Sequence, residues 1–442
     1  MLLLAALACV PAAARHIMLA DSVCGSAIYP GTVHTFTVSV PDSYRPASPA
    51  ALFLGLDGVL CDAPALIDSL SACGVLPPAV IGVYLQPGIV RDSVSGRIVR
   101  YNRSNEFDAT DARFATFLET ELLPAVEAMS TPDGRPLRLT RNAADRLIFG
   151  LSSGGIAAFT AAWHRPDLFA KVFSGCGTFV PMRGGHNLQA VVRKHEPRPL
   201  RVFLQDGFDD CWNPAFGSWF DANATLGTAL RFAGCDCRFD WAEGVHSVRR
   251  ATEIMPDVLT WMWRDGTDAH IVLGTTANDF LAPLLIAGED WQPVPPQGVL
   301  RADSVVRAVY PGGALVAEAA PGSNYLMQYI AAPDGTLRYG QPFYWLHSYD
   351  NSQLGIGSLA FDGNGNLWAV TTAGIQICDQ NGRVRASLAL PAGINPSTAR
   401  LRLTEGAAEL QGRSPDGCPA AFRRRLNIAL PGPQLPSSQG QA

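Results

Sequence analysis

Charge is scarce in this chain: of 442 residues, 17% are Asp, Glu, Lys or Arg, against 48% that are hydrophobic. The net charge of −5 leaves no basic field, so nucleic acid and anionic membrane are not expected as partners. Long apolar runs are also missing. The nearest, residues 280–287, falls well short of a bilayer span, so no membrane span is expected. Metal-ligand spacing is absent too. Cys235-x-Cys237 has no nearby His/Cys set to complete a site, so neither a zinc site nor any other cofactor is expected.

Glycine (42) and proline (33) are plentiful and indicate a turn-rich globular protein, and the length suggests two domains. Residues 1–14 carry a short apolar core with an A-x-A-like end, which reads as a secretory signal and implies a secreted or periplasmic protein. Of the ten cysteines, Cys9 would leave with that signal. The nine that remain are odd in number, and Cys61 with Cys73, or Cys378 with Cys418, are candidate bridges whose pairing the sequence leaves open.

Residues from about 29 to 265 alternate apolar strands with helical segments, the pattern of an α/β three-layer domain, which is expected to occupy 15–265. Residues 35–40 alternate like an edge strand, whereas 50–54 and 79–84 are continuous apolar runs suited to buried parallel strands. From 266 to 430 helical periodicity vanishes, and turn signals separate short β-prone runs, so an all-β module is expected there. Residues 431–442 are rich in Pro, Ser, Gln and Gly and read as a disordered tail.

The most informative stretch is Gly150-Leu151-Ser152-Ser153-Gly154-Gly155, which lies between an apolar strand and an alanine-rich helix. Strand, G-x-S-x-G and helix make the setting in which a sharp turn presents a serine hydroxyl at a sheet edge. Such a serine needs a base, and the base needs an orienting acid; in this setting they follow later strands in the order acid, then histidine. His246, after the last strand, is the expected base, and His34, His164, His186 and His195 read as surface or capping residues. Asp210 is the favoured acid, with Asp206 as the alternative. The amide of Ser153 and that of Gly58, in the loop after an early strand, are the expected oxyanion donors.

The segment 150–179, with Asn102-Arg103-Ser104-Asn105-Glu106-Phe107-Asp108, LQDGFDD at 204–210 and EGVH at 243–246, resembles the Putative esterase family. That family holds esterase D, the feruloyl esterases and the ferric-enterobactin (enterochelin) esterases. The resemblance covers nearly all of 30–265. It implies an α/β-hydrolase fold, a serine carboxylic-ester hydrolase acting through an acyl-enzyme, and a small-molecule or glycan-linked ester as substrate. Ser152, Asp210 and His246 then take the triad positions. Arg103 and Glu106 take a pocket-side segment, with Asp57 beside them, or else Arg103 and Glu106 form a structural ion pair.

Residues 361–391 resemble the C-terminal part of the gluconolactonase/senescence-marker family, a six-bladed propeller. The 266–430 segment supplies some three to four blades. Its metal positions look depleted: Gly357-Ser358 stands where an acid belongs, and Glu318 near another. A degenerate propeller is therefore expected. A catalytically silent binding protein and a calcium-dependent lactonase are the alternatives to the hydrolase.

Overall fold

The computed structural model describes residues 16–267, 270–296, 305–320, 322–350 and 352–432. The expected signal at 1–14 and nearly all of the expected tail lie outside the described residues. Two compact units are present. One takes in the described residues through Gln189 together with Arg198–Gly274; the other takes in Ala190–Pro197 and the described residues from Thr275 onward. The change of unit falls nine residues beyond the expected 265 because Ile271 still packs on Ala144 and Ala170 of the first unit.

The first unit is built on strands β1 (His16–Cys24), β2 (Val33–Pro41), β3 (Ala51–Leu56), β4 (Val80–Leu85), β5 (Ile89–Arg91), β6 (Ile98–Tyr101), β7 (Arg146–Leu151), β8 (Lys171–Gly175) and β9 (Arg201–Gly207). A two-residue ladder, β10 (Trp212–Asn213) with β11 (Gly217–Ser218), precedes β12 (Asp236–Ala242). The main sheet runs β12-β9-β8-β7-β3-β4-β2-β5-β6, with β1 paired to β2. Strands β4, β3, β7, β8, β9 and β12 are parallel. Every residue of β3, β4, β7, β8 and β9 is buried, which is why these strands read as apolar runs rather than as alternation.

Residues 35–40 differ from expectation, since β2 lies inside the sheet between β4 and β5. Alternation there marks one partly open face of a strand, which does not require an edge position.

Helices α1 (Ala63–Ala72), α2 (Arg103–Phe107), α3 (Arg113–Phe117), α4 (Leu123–Glu127), α5 (Ser153–His164), α6 (Leu188–Lys194), α7 (Trp219–Phe232) and α8 (Val248–Met262) follow the chain. A π-helical turn over Leu118–Leu122 joins α3 to α4. Phe53, Phe149, Phe173 and Phe203 form one continuous aromatic row, with ring centroids 5.0–5.9 Å apart. Met255, Val258, Leu259 and Met262 of α8 belong to the same core.

Apart from the α6 residues Ala190–Lys194, the second unit is built on β-strands. Strands β13 (Gln292–Pro293), β14 (Arg307–Val309), β15 (Leu315–Ala319), β16 (Tyr325–Ala331), β17 (Leu337–Trp345), β18 (Ile356–Phe361), β19 (Leu367–Thr371), β20 (Gly374–Cys378), β21 (Val384–Leu388), β22 (Arg400–Thr404), β23 (Ala407–Arg413) and β24 (Pro419–Arg425) form three four-stranded antiparallel sheets. Their orders are β14-β15-β16-β17, β18-β19-β20-β21 and β13-β24-β23-β22. The described residues give these sheets and no closed ring. The segment resembling a propeller blade forms most of the second sheet. Its Asp362-Gly-Asn-Gly-Asn turn is organised by the buried Asp362 carboxylate, which accepts from the Asn364 and Asn366 amides and from Trp368 Nε1. Glu318 pairs with Arg307, and Ser358 Oγ accepts from the Leu401 amide, so both serve the sheets.

Both expected cysteine bridges are corrected. No disulfide joins any of the nine described cysteines, and Cys61 and Cys378 are buried as small apolar side chains.

Candidate active site

Ser152 stands between β7 and α5 with φ 57° and ψ −123°, a backbone state that costs a residue with a Cβ of order 1–3 kcal/mol. The turn is held by Ser152 N–H donating to Gly175 O (3.0 Å) and Thr178 N–H donating to Ser152 O (3.1 Å). Glycines make it possible sterically. A Cβ on Gly150 would lie 2.2 Å from Gly154 O, and one on Gly155 would lie 3.0 Å from Gly175 O. The Ser152 hydroxyl lies 3.4 Å from that of Thr178, which also accepts from Trp219 Nε1 at 3.4 Å.

His246 and Asp210 arrive on the turns that follow β12 and β9, two adjacent parallel strands. Phe208 N–H donates to Ala242 O (2.9 Å) and Asp209 N–H to Gly244 O (3.0 Å), so the two turns are stapled together. No room remains between them: a Cβ on Gly207 would meet Gly244 O at 2.2 Å. This staple sets His246 Nδ1 at 2.6 Å from Asp210 Oδ1, with the Asp210 side chain fully buried and that of His246 27% exposed. The Trp219 ring meets the His246 ring edge-on at 6.4 Å.

Burial alone would raise the Asp210 carboxyl, but hydrogen bonds from His246, Asp206 and the Cys211 amide outweigh it and hold it below its ordinary range. Burial, then the adjoining Asp210, push the Asp206 carboxyl up. Asp206 does not reach the imidazole pair in Asp210's place; its Oδ1 accepts from Gly207 N–H.

Cys176 Sγ lies within 4.8 Å of ligand atoms of Asp210 and His246. The carboxylate and imidazole are already bonded to each other, and burial strongly raises the thiol, so the trio offers no free ligand set. Thr178, Cys176 and Trp219 are members of this site that sequence reasoning missed; only their positions after β8 and at the head of α7 mark them.

Ser153 is the first residue of α5, where amide groups have no partner within the helix. Gly58 requires a correction. Its amide donates to Leu85 O at 3.0 Å and is not free to serve an oxyanion. Its glycine character has another cause: φ is +85°, and a Cβ would lie 2.3 Å from Gln86 Nε2.

Asp57 and Arg103 form a two-pronged ion pair (2.7 and 2.8 Å), and Asp57 Oδ2 would lie 3.0 Å from a Cβ on Gly154. Asp57 thus stands over the start of α5 with its acceptors occupied by Arg103. Glu106 is a second correction, because it is wholly buried and does not pair with Arg103. Its carboxylate is taken by His34 Nε2 (2.9 Å), Asn102 Nδ2 (2.6 Å) and the Gly88 amide (3.0 Å). His34 and His195 are likewise fully buried, not surface residues. His164 is half-buried, and its Nε2 bonds to Thr110 O at 2.8 Å.

Solved structures of similar fold include a ferulic acid esterase, 18% identical over 57% of this chain and 98% of that one, with a TM-score of 0.42. The enterobactin esterase from Shigella flexneri is 19% identical over 56% of this chain and 60% of its own length, with a TM-score of 0.42. An S-formylglutathione hydrolase from Agrobacterium tumefaciens is 16% identical over 57% of this chain and 96% of that one, with a TM-score of 0.41. No curated protein matches the chain. The family model described as Putative esterase matches residues 29–254, more than half of the chain. With its α/β sheet and strand-end site, this chain belongs to the Putative esterase family and is a carboxylic ester hydrolase.

Proposed function

We propose that the first unit cleaves carboxylic esters by a serine mechanism in which Ser152 is the nucleophile, His246 the general base and Asp210 the orienting acid. The observation that carries this reading is the 2.6 Å bond from His246 Nδ1 to the buried Asp210, on turns stapled to each other at the same edge of parallel strands as the Ser152 turn. With Nδ1–H given to Asp210, Nε2 is the basic nitrogen. It takes the Ser152 proton as Oγ bonds to the ester carbonyl carbon, and the carbonyl pair moves onto oxygen. The Ser153 amide, at the start of α5, stabilises that oxyanion. Collapse expels the alcohol, which leaves with the proton from His246; water, deprotonated by His246, then bonds to the acyl carbon, and the Oγ–carbon bond breaks as His246 returns the proton to Ser152 and the acid departs.

The exposed apolar side chains Phe208, Trp212 and Val245 stand on the loops that carry these groups and favour an ester with an apolar or aromatic acyl part. A fluorophosphonate probe is expected to label the wild type and not Ser152→Ala. Equal labelling of both ends the assignment, and an ester panel that prefers acetyl over aryl-acyl groups ends the acyl preference.

A further inference from the structure

Two buried carboxyl groups meet where β9 ends. Asp206 is wholly shut from water; its Oδ1 accepts the Gly207 N–H at 2.8 Å, and Asn223 of α7 lies beside it. Asp210 Oδ1 accepts from His246 Nδ1 at 2.6 Å and from the Cys211 amide at 2.5 Å. Oδ2 of each is buried and has no hydrogen-bond partner, and the two carboxyl groups lie close enough to act on each other. Two buried carboxyl groups this close do not both ionise, so one of them carries a proton.

The donors decide which one. Asp210 has an imidazole and an amide directed at it, and Asp206 has no charged donor. We propose that Asp206 keeps a proton and donates it from Oδ2 to Oδ2 of Asp210, which makes Asp206 a positioning residue for the His246–Asp210 pair. This rests on the triad reading above. The O–H fixes the plane of the Asp210 carboxylate so that Oδ1 faces the imidazole, and it draws off part of the negative charge that His246 meets.

Burial and the adjoining Asp210 raise the Asp206 carboxyl, in the same direction. The titratable groups facing it are Asp210 and Cys211 on its own turn and Cys176 after β8, with His246 after β12 on the far side of Asp210; Trp241 of β12 and Asn223 of α7 border it without charge.

The test compares Asp206→Asn and Asp206→Ala in the full chain. The asparagine amide replaces the O–H donor, so kcat for p-nitrophenyl butyrate stays within about threefold of wild type. Alanine removes the donor and lowers kcat about tenfold, the equivalent of one charged hydrogen bond, with KM little changed. Equal kcat in the two variants overturns the proposal.

A second reading is independent of activity. The folded chain holds a proton that the unfolded chain releases above about pH 4, so wild type loses stability relative to Asp206→Asn as pH rises from there. The Tm of Asp206→Asn minus that of wild type therefore grows between about pH 4 and about pH 8; a constant difference overturns the proposal even if the alanine variant does not fold. Failure of the triad reading is recognised separately, by an active Ser152→Ala, and leaves the Tm comparison intact.

Discussion

His246 Nδ1 lies 2.6 Å from Asp210 Oδ1, and backbone bonds between their turns hold the two residues in that contact. The carboxylate therefore sets the ring's tautomer as well as its position. Asp210→Asn keeps the shape and removes the charge, so kcat is expected to fall about ten-thousandfold with KM nearly unchanged. The Asp210 carboxyl is held below its ordinary value, so the stability it contributes is full above about pH 3.9 and is lost as pH falls through the lower folded-state value. Acid unfolding of Asp210→Asn should accordingly be less steep than that of wild type.

The glycines of the serine turn make a prediction about shape alone. Gly150→Ala would place a methyl 2.2 Å from Gly154 O, a backbone atom that cannot rotate away. The expected cost is about 1–3 kcal/mol, with a lower Tm and loss of fluorophosphonate labelling in the fraction that still folds. A variant that labels at the wild-type rate would mean that the turn does not depend on this close approach.

The strand, G-x-S-x-G, helix order places Ser152 from the sequence because each part is local: an apolar run, two glycines and an alanine-rich helix. His246 and Asp210 are legible by chain order after the strands that carry them. Other features depend on partners far along the chain. The Gly58 amide is committed by Leu85, a strand neighbour that the loop itself does not reveal. Glu106 takes its meaning from His34, 72 residues away, and an N-R-S-x-E spacing cannot distinguish a pocket carboxylate from a buried one. The cysteines likewise suggested bridges by count, whereas burial among apolar side chains accounts for Cys61 and Cys378 without them.

The buried Glu106 gives a stability prediction that spares the chemistry. Glu106→Ala leaves His34 Nε2, Asn102 Nδ2 and the Gly88 amide facing an empty space. Removing one member of such a buried set costs about 3–5 kcal/mol, so Tm should fall by several degrees or more. Among the described residues Glu106 bonds to His34, Asn102 and Gly88 and to neither Ser152 nor His246, so labelling of the folded fraction is expected at the wild-type rate. Loss of labelling without loss of Tm would return Glu106 to the pocket.

Lys171 offers a pH-dependent test in the same sheet. Its side chain is buried at the start of β8, with Nζ 4.2 Å from the Trp263 ring centre, and burial lowers its amine to about 7. Asp145 and Asp265 act to raise it, and Arg201 and Arg264 to lower it, so burial is what prevails. The unfolded chain titrates this amine near pH 10.4, so between about pH 7 and that value the unfolded state binds the extra proton. Stability therefore rises with pH across this window, and below it the folded state must hold a charge in an apolar place. Lys171→Met keeps the length and the contact with Trp263 without the charge. Its Tm should exceed that of wild type at about pH 6, with the difference shrinking as pH rises toward 10. A Tm difference of opposite sign, or one that does not vary with pH, would mean that the surrounding carboxylates and the ring hold the ammonium more firmly than burial disfavours it.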